Sequence, residues 1–372
     1  MYHKKHIGIV TLWFPIEKQP SYGIFVENQA AALAKIHDVT VILVKRSIAP
    51  YIRKSQKRGF RIIELGTFFL PSMSESFIKF KSKKYLKAFD IASKHQQIDV
   101  IHSHSYVSNF HGQYISSRRS VPHVSTIHDT TVLNDELQKW QRRFLSYSMK
   151  ASDKVVAVGK PLANHLQKSY DLHNVVTIPN GVNTDLFSMK TEFWNGSRPF
   201  RFLFVGSFDK RKGLIECIEA FNAIKFKNTE FHIVGYDTME KSIMALVKSL
   251  GLTSRVVFYG DLSNYELPAT YHKCDAYVSF SSLETFGVTV IEAMSCGLPV
   301  LYSRSGGPEH TVAPYCGNEV QPRTVAALTL EMEEMIEHYE GWDFALIRNH
   351  AIAHFSDAIV TEQLCDLYEE LI

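Results

Sequence analysis

Short runs that are apolar on both faces alternate with longer stretches whose apolar residues recur at helical spacing, along most of the chain. Ile7 to Phe14, Val39 to Val44, Asp99 to His102, Pro122 to Ile127 and Lys154 to Val158 read as buried strands of the parallel type. Ile24 to Lys35 carries Val26, Ala30, Leu33 and Ala34 on one helical face, which makes the first two strands a βαβ unit. Further helices are expected over about 134–150 and 160–170. A second series opens with the strand Phe202 to Val205. It continues through Phe231 to Val234, Val256 to Tyr259 and Tyr277 to Phe280, with helices over Leu214 to Lys225 and 239–250. Two such series predict an α/β protein of two doubly wound domains.

The densest pattern is Ser279 to His310, SFSSLETFGVTVIEAMSCGLPVLYSRSGGPEH. It reads as strand end, loop, helix, turn, strand and a second glycine-rich turn. The helix should start near Phe286 or Gly287 and run to about Ser295, with Gly297 as its stop and Pro299 just beyond. Val288, Val290, Ile291, Ala293 and Met294 make nearly every face apolar, so the helix is buried and Glu292 is the misfit. Glu284 lies eight residues earlier, in the loop before the helix. The two carboxylates therefore straddle a helix N-terminus, where free N–H groups and about half a positive charge suit a phosphate. Eight helical residues span about 12 Å, near the reach of a nucleotide sugar. Spacing leaves two readings open. Glu292 meets a ribose diol and Glu284 a sugar, or Glu292 is paired internally and Glu284 is solvated.

Two glycine loops precede helices. Gly23 stands before the first, where backbone can approach a phosphate or simply turn. Gly206-Ser-Phe-Asp-Lys-Arg-Lys-Gly213 stands before another and offers Lys212 as a cation. This is no P-loop, since the spacing is wrong and no Ser or Thr follows the lysine, and no GxGxxG occurs anywhere. Kinase and dehydrogenase readings fall away. His104 and the pair His128-Asp129 fall at strand C-terminal ends, where open α/β sheets keep their ligands.

At 372 residues, with 45% hydrophobic and 21% charged, the chain has the size and balance of two globular domains. No apolar run approaches the roughly 18 residues of a membrane helix, and MYHKKHIGIVTLWFP reads as a first strand rather than a signal peptide. The five cysteines all lie in the second half with no CxxC, as packed free thiols of a cytosolic protein would. Net charge is +3, but residues 1–178 hold 26 Lys/Arg against 12 Asp/Glu, and residues 179–372 hold 15 against 26. That polarity points the first half at an anionic surface, while the acidic second half argues against nucleic acid. Phe77 to Phe89 focuses it, with Ile78, Tyr85, Leu86 and Phe89 on one helical face and Lys79, Lys83 and Lys87 on another. Arg53, Lys54, Lys57, Arg58 and Arg61 lie nearby in sequence. Such a helix either packs on a core with a solvated lysine face or lies on an anionic membrane.

The run Glu284-Thr-Phe-Gly-Val-Thr-Val-Ile-Glu292, then Ala-Met-Ser-Cys-Gly-Leu-Pro-Val and Gly306-Gly307-Pro-Glu309, resembles the signature of glycosyltransferase family 4. Ile178-Pro-Asn-Gly-Val182 through Phe187, and Val205-Gly206 through Lys212-Gly213, match as well, in the right order. The resemblance implies the GT-B fold: two Rossmann-like doubly wound domains facing a central cleft. It implies an acceptor-side domain over 1–180, a linker over 181–198, a donor-nucleotide domain over 199–352, and a C-terminal helix over 353–372 crossing back to the first domain.

It also implies a retaining, metal-independent hexosyltransferase, with a nucleoside-diphosphate sugar as donor substrate and no cofactor. Glu284, Lys212 and His128 would be catalytic. Gly23, Gly206, Ser207, Arg211, Lys212, Phe286, Gly287, Val288, Thr289 and Glu292 would bind the donor, and His104 and Asp129 would face the acceptor. The chain departs from the pattern at Ser207, where the family usually has Arg, and at Asn183, where it usually has Asp. Arg211 or Lys210 would have to replace the missing charge. The expected acceptor is a lipid-linked or growing cell-surface glycan in polysaccharide biosynthesis, handled in the cytoplasm at the inner face of the plasma membrane. A nucleotide-sugar epimerase on the same fold, or a non-catalytic sugar-nucleotide-binding subunit, is the alternative.

Overall fold

A computed structural model describes residues 2–17, 19–68, 74–235 and 239–372. Contacts divide the chain into two compact units. The first comprises Met1–Pro15, Tyr22–Gly181 and Asp357–Ile372, and the second Ile16–Ser21 and Val182–Ser356.

The first unit is built from β1 (His6–Thr11), α1 (Ile24–Leu33), β2 (Asp38–Arg46), β3 (Tyr51–Lys57), β4 (Phe60–Thr67), α2 (Glu75–Ala92), β5 (Val100–His104) and α3 (Tyr106–Arg119). It continues through β6 (His123–Ile127), α4 (Thr130–Leu133), α5 (Lys139–Lys150), β7 (Lys154–Ala157), α6 (Lys160–Tyr170) and β8 (Val175–Thr177). The sheet order is β3-β4-β2-β1-β5-β6-β7-β8, parallel except for the β3–β4 hairpin. Winding reverses between β1 and β5, the kind of place at which open α/β sheets keep their ligands.

The second unit runs β9 (Phe200–Val205), α7 (Leu214–Ala223), β10 (Thr229–Val234), α8 (Glu240–Ser249), β11 (Val256–Phe258), α9 (Leu267–Lys273) and β12 (Ala276–Ser279). Next come α10 (Val288–Ser295), β13 (Val300–Ser303), β14 (Gly317–Val320), α11 (Val325–Glu337) and α12 (Phe344–Phe355). Its six strands are all parallel in the order β11-β10-β9-β12-β13-β14, and winding reverses between β9 and β12. A phenylalanine-rich core fills it, with Phe200, Phe202, Phe204, Phe221 and Phe231 all buried. The last helix, α13 (Asp357–Glu369), belongs to the first unit, where Val360, Leu364 and Tyr368 join the core of β1 and α1.

Several expectations need correcting. The helix expected over 134–150 begins only at Lys139, because Asp135 takes a left-handed turn (φ 55°) and Gln138 and Gln141 form a capping box. The stretch 181–198, expected as a linker, is packed into the second unit from Val182 onward. Phe187 is buried there, and Lys190 Nζ bonds Asp275 Oδ1 at 3.0 Å inside the unit. A polar sequence hid an internal ion pair. The helix over Phe77 to Phe89 is α2, and it packs on the core through Ile78, Tyr85 and Phe89 while Lys79, Lys83 and Lys87 stay exposed. Tyr85 donates its hydroxyl to the Thr11 carbonyl at 3.0 Å. No helix among the described residues is long and apolar enough to cross a membrane.

Candidate active site

In the second unit the loops after β9 and β12 meet where the winding reverses. Gly213 makes that meeting sterically feasible. Its φ is 72°, and a Cβ there would lie 2.2 Å from the Phe280 carbonyl oxygen. Arg323 donates to the same carbonyl at 2.7 Å, pinning the end of β12. Lys212, in the single 3-10 turn before Gly213, is thereby set against the β12 loop, and its Nζ lies 2.5 Å from Glu284 Oε1. Ser281 donates to that oxygen at 2.9 Å. Behind the loop, Glu284 donates its backbone N–H to Ser305, and Glu309 accepts the N–H groups of Ser305 and Gly306. A Cβ on Gly307 would lie 2.6 Å from the Phe286 carbonyl oxygen, so the second glycine turn supports the first from beneath.

The helix α10 begins after Gly287, whose left-handed backbone (φ 92°) ends the loop. Val288 and Thr289 therefore sit in a first helical turn whose N–H groups have no intrahelical acceptor. Phe286 is buried against Phe355, so only its backbone is available to a ligand. Glu292 is 5% exposed, and Tyr271 donates its hydroxyl to Oε2 at 2.9 Å. Burial pushes the Glu292 carboxyl up to about 8, against the opposing effect of the Tyr271 hydrogen bond. One hydrogen bond leaves most of the hydrogen-bonding capacity of the carboxyl group unused. Tyr277 bonds Thr289 Oγ1 at 2.7 Å, so two tyrosines from α9 and β12 fix the first turns of α10. Gly206 closes β9 and lies beneath Gly235, where a Cβ would come within 1.9 Å of the Gly206 carbonyl oxygen.

Ser207 is exposed, and the charge expected to replace the usual arginine is only partly there. Arg211 is turned onto Asp209, with Nη2 and Oδ2 2.9 Å apart. Lys210 is exposed, which leaves Lys212 as the lysine placed on Glu284. Of the loops expected near a nucleobase, Tyr236 and Asp237 lie outside the described residues, and Asp261 accepts from Ser21 at 3.3 Å.

In the first unit, Gly23 caps α1 with φ 69°, and a Cβ there would lie 2.4 Å from the Trp13 carbonyl carbon. That close approach is to the chain's own loop after β1. His104 ends β5 and His128 follows β6, and their rings lie side by side with Nδ1 of the first 3.0 Å from Nε2 of the second. His102 stacks on His104 at 4.4 Å and is held by Thr126 and by Tyr368 from α13. Burial holds all three imidazoles well below the usual histidine range, His104 down to about 3, so they are neutral at pH 7. Asp129 beside them is buried, accepts the Tyr106 N–H at 3.0 Å, and is pushed by burial up to about 7. The structure thus groups His104, His128 and Asp129 in one unit, and Lys212, Glu284, Glu292 and the start of α10 in the other. Sequence reading missed Tyr271 and Tyr277, whose only signal is that a buried Glu needs a donor.

Residues 23–186 match the model of the Glycosyltransferase Family 4 domain, and residues 190–342 that of Glycosyl transferases group 1. An uncharacterized glycosyltransferase of Methanocaldococcus jannaschii is 30% identical over 62% of this chain and 64% of its own length. An N-acetyl-alpha-D-glucosaminyl L-malate synthase of Bacillus anthracis is 26% identical over 59% of this chain and 60% of its own length. The chain therefore spans less than two thirds of either relative. Among solved structures, sucrose-phosphate synthase from Thermosynechococcus elongatus superposes with a TM-score of 0.82 at 22% identity, over 99% of both chains. HepE from Anabaena, in complex with UDP and glucose, superposes with a TM-score of 0.75 at 16% identity, over 99% of this chain and 100% of that one. The chain belongs to the GT4-type glycosyltransferases, and its two parallel-sheet units are those of the GT-B fold.

Proposed function

We propose that this chain moves a hexosyl group from a nucleoside-diphosphate sugar to a hydroxyl of a lipid-linked or growing glycan, with retention at the anomeric carbon and without a metal ion. In the net reaction the bond from anomeric carbon to diphosphate oxygen breaks. A bond to the acceptor oxygen forms, and the acceptor's proton departs. The sequence has no Asp-x-Asp, so the leaving-group charge falls to fixed protein donors: Lys212 and the first N–H groups of α10. Glu292 takes the ribose diol, Glu284 the sugar hydroxyls, and the His104–His128–Asp129 group serves the acceptor hydroxyl. Support for a nucleotide donor also comes from HepE, whose structure is of a complex with UDP and glucose.

The observation that carries this reading is the Lys212–Glu284 contact at the entrance to α10, with Glu292 buried on the same helix. A cation paired with a carboxylate and partly open to solvent is poised to exchange that partner for a phosphate. The test is glycosyl transfer from UDP, GDP and ADP sugars by the native chain and by Glu292→Ala and Lys212→Ala. Both variants should stay folded and lose transfer. Full activity in either, or sugar turnover with no acceptor present, would refute the assignment.

A further inference from the structure

In the first unit, α5 and α6 border a groove of about 450 Å3. Four cations line it: Lys139, Arg142, Arg143 and Lys150, all from α5. Two are already engaged, Arg142 by Asp135 and Lys150 by Asp171 at 3.5 Å. Lys139 and Arg143 are solvent-exposed and form no ion pair among the described residues. The nearby Glu75 is taken by Lys79. Ser146, Ser169 and two tyrosines complete the lining. Tyr147 is 64% exposed, and Tyr170 is 4% exposed, with a hydroxyl that meets no partner in hydrogen-bond geometry although the Arg142 guanidinium lies 5.4 Å over its ring.

We infer that this groove is a phosphate-binding site of the first unit, built from none of the residues assigned to the donor and filled by a phosphate-bearing ligand. Arginine matches phosphate oxygens in pairs, and lysine adds charge without fixed geometry. Tyr170, buried beneath Arg142, holds that guanidinium at the groove wall. A surface lysine face alone, such as that of α2, has neither a concave wall nor arginines to pair phosphate oxygens.

The experiment uses the full chain in a Lys212→Ala background, so that phosphate at the donor site does not count. Two probes are titrated: inorganic pyrophosphate, and vesicles of phosphatidylglycerol in phosphatidylcholine against phosphatidylcholine alone. The groove variant is Lys139→Ala with Arg143→Ala. Its charge-matched control is Lys83→Ala with Lys87→Ala on the exposed face of α2. The groove variant should lose at least tenfold in affinity and the control less than twofold. Loss confined to vesicles assigns the phosphate to a lipid headgroup, and loss of pyrophosphate binding assigns it to a soluble ligand. The Gln/Gln pair at 139 and 143 repeats the test should the alanine pair fold poorly. No binding of either probe, or equal losses in groove and control variants, overturns the site.

Discussion

Tyr271 donates its hydroxyl to Glu292 across the space between α9 and α10, 2.9 Å from oxygen to oxygen, and both residues are buried. A carboxyl so placed keeps its proton at neutral pH, since burial lifts it to about 8. Its ordinary value is 4.5. Between those limits the folded chain holds a proton that the unfolded chain has lost, so this group's contribution to stability falls as pH rises through the window. Glu292→Gln removes the titration. Its melting temperature relative to the native chain should therefore climb from pH 5 to pH 8.5, and a difference that stays flat across that range would contradict the burial argument.

Nucleotide binding should show the same proton. A ribose diol donating two hydrogen bonds favours the ionised carboxylate, so binding near pH 7 should release about one proton. Calorimetry with UDP in buffers of different ionisation enthalpy measures it. The Glu292→Gln variant should show no release from this group.

Gly213 and Gly196 share a left-handed backbone, at 72° and 82°, but only Gly213 is crowded. Gly196→Ala should cost about 1 kcal/mol for the backbone alone. Gly213→Ala adds a contact with the Phe280 carbonyl, worth about 1–3 kcal/mol more, and pushes Lys212 away from Glu284. Urea denaturation compares the two, and UDP affinity should fall in the Gly213 variant only.

Asp275 is wholly buried and is shared by Lys190, Arg198 and the Arg201 N–H. Asp275→Ala leaves Lys190, 1% exposed, with its charge unpaired, at a cost of about 3–5 kcal/mol. Denaturation midpoints check this. A loss under 1 kcal/mol would mean that Lys190 is neutral in the native protein.

What could be read in advance follows from period and from turn residues. The order of strand, glycine loop and helix around α10 was legible because Gly287, Gly297 and Pro299 punctuate an unbroken apolar run. His104 and His128 could be placed at strand ends because each follows a short apolar run. The β3–β4 hairpin was not legible, since six of the seven β3 residues are exposed and carry no apolar alternation, so only their basic charge stood out. Lys190 was hidden because its partner lies 85 residues on, and no local pattern marks a long-range ion pair. Arg211 was the converse case. Asp209, two residues earlier, was a local signal that its charge was already spent, and it was there to be read.

The most direct measurement is a structure of the chain with UDP bound. The diphosphate should lie at the first turn of α10, with Lys212 Nζ moved from Glu284 to a phosphate oxygen and the ribose hydroxyls on Glu292. UDP lodged elsewhere, with Lys212 still on Glu284 and Glu292 bonded only to Tyr271, would contradict the account.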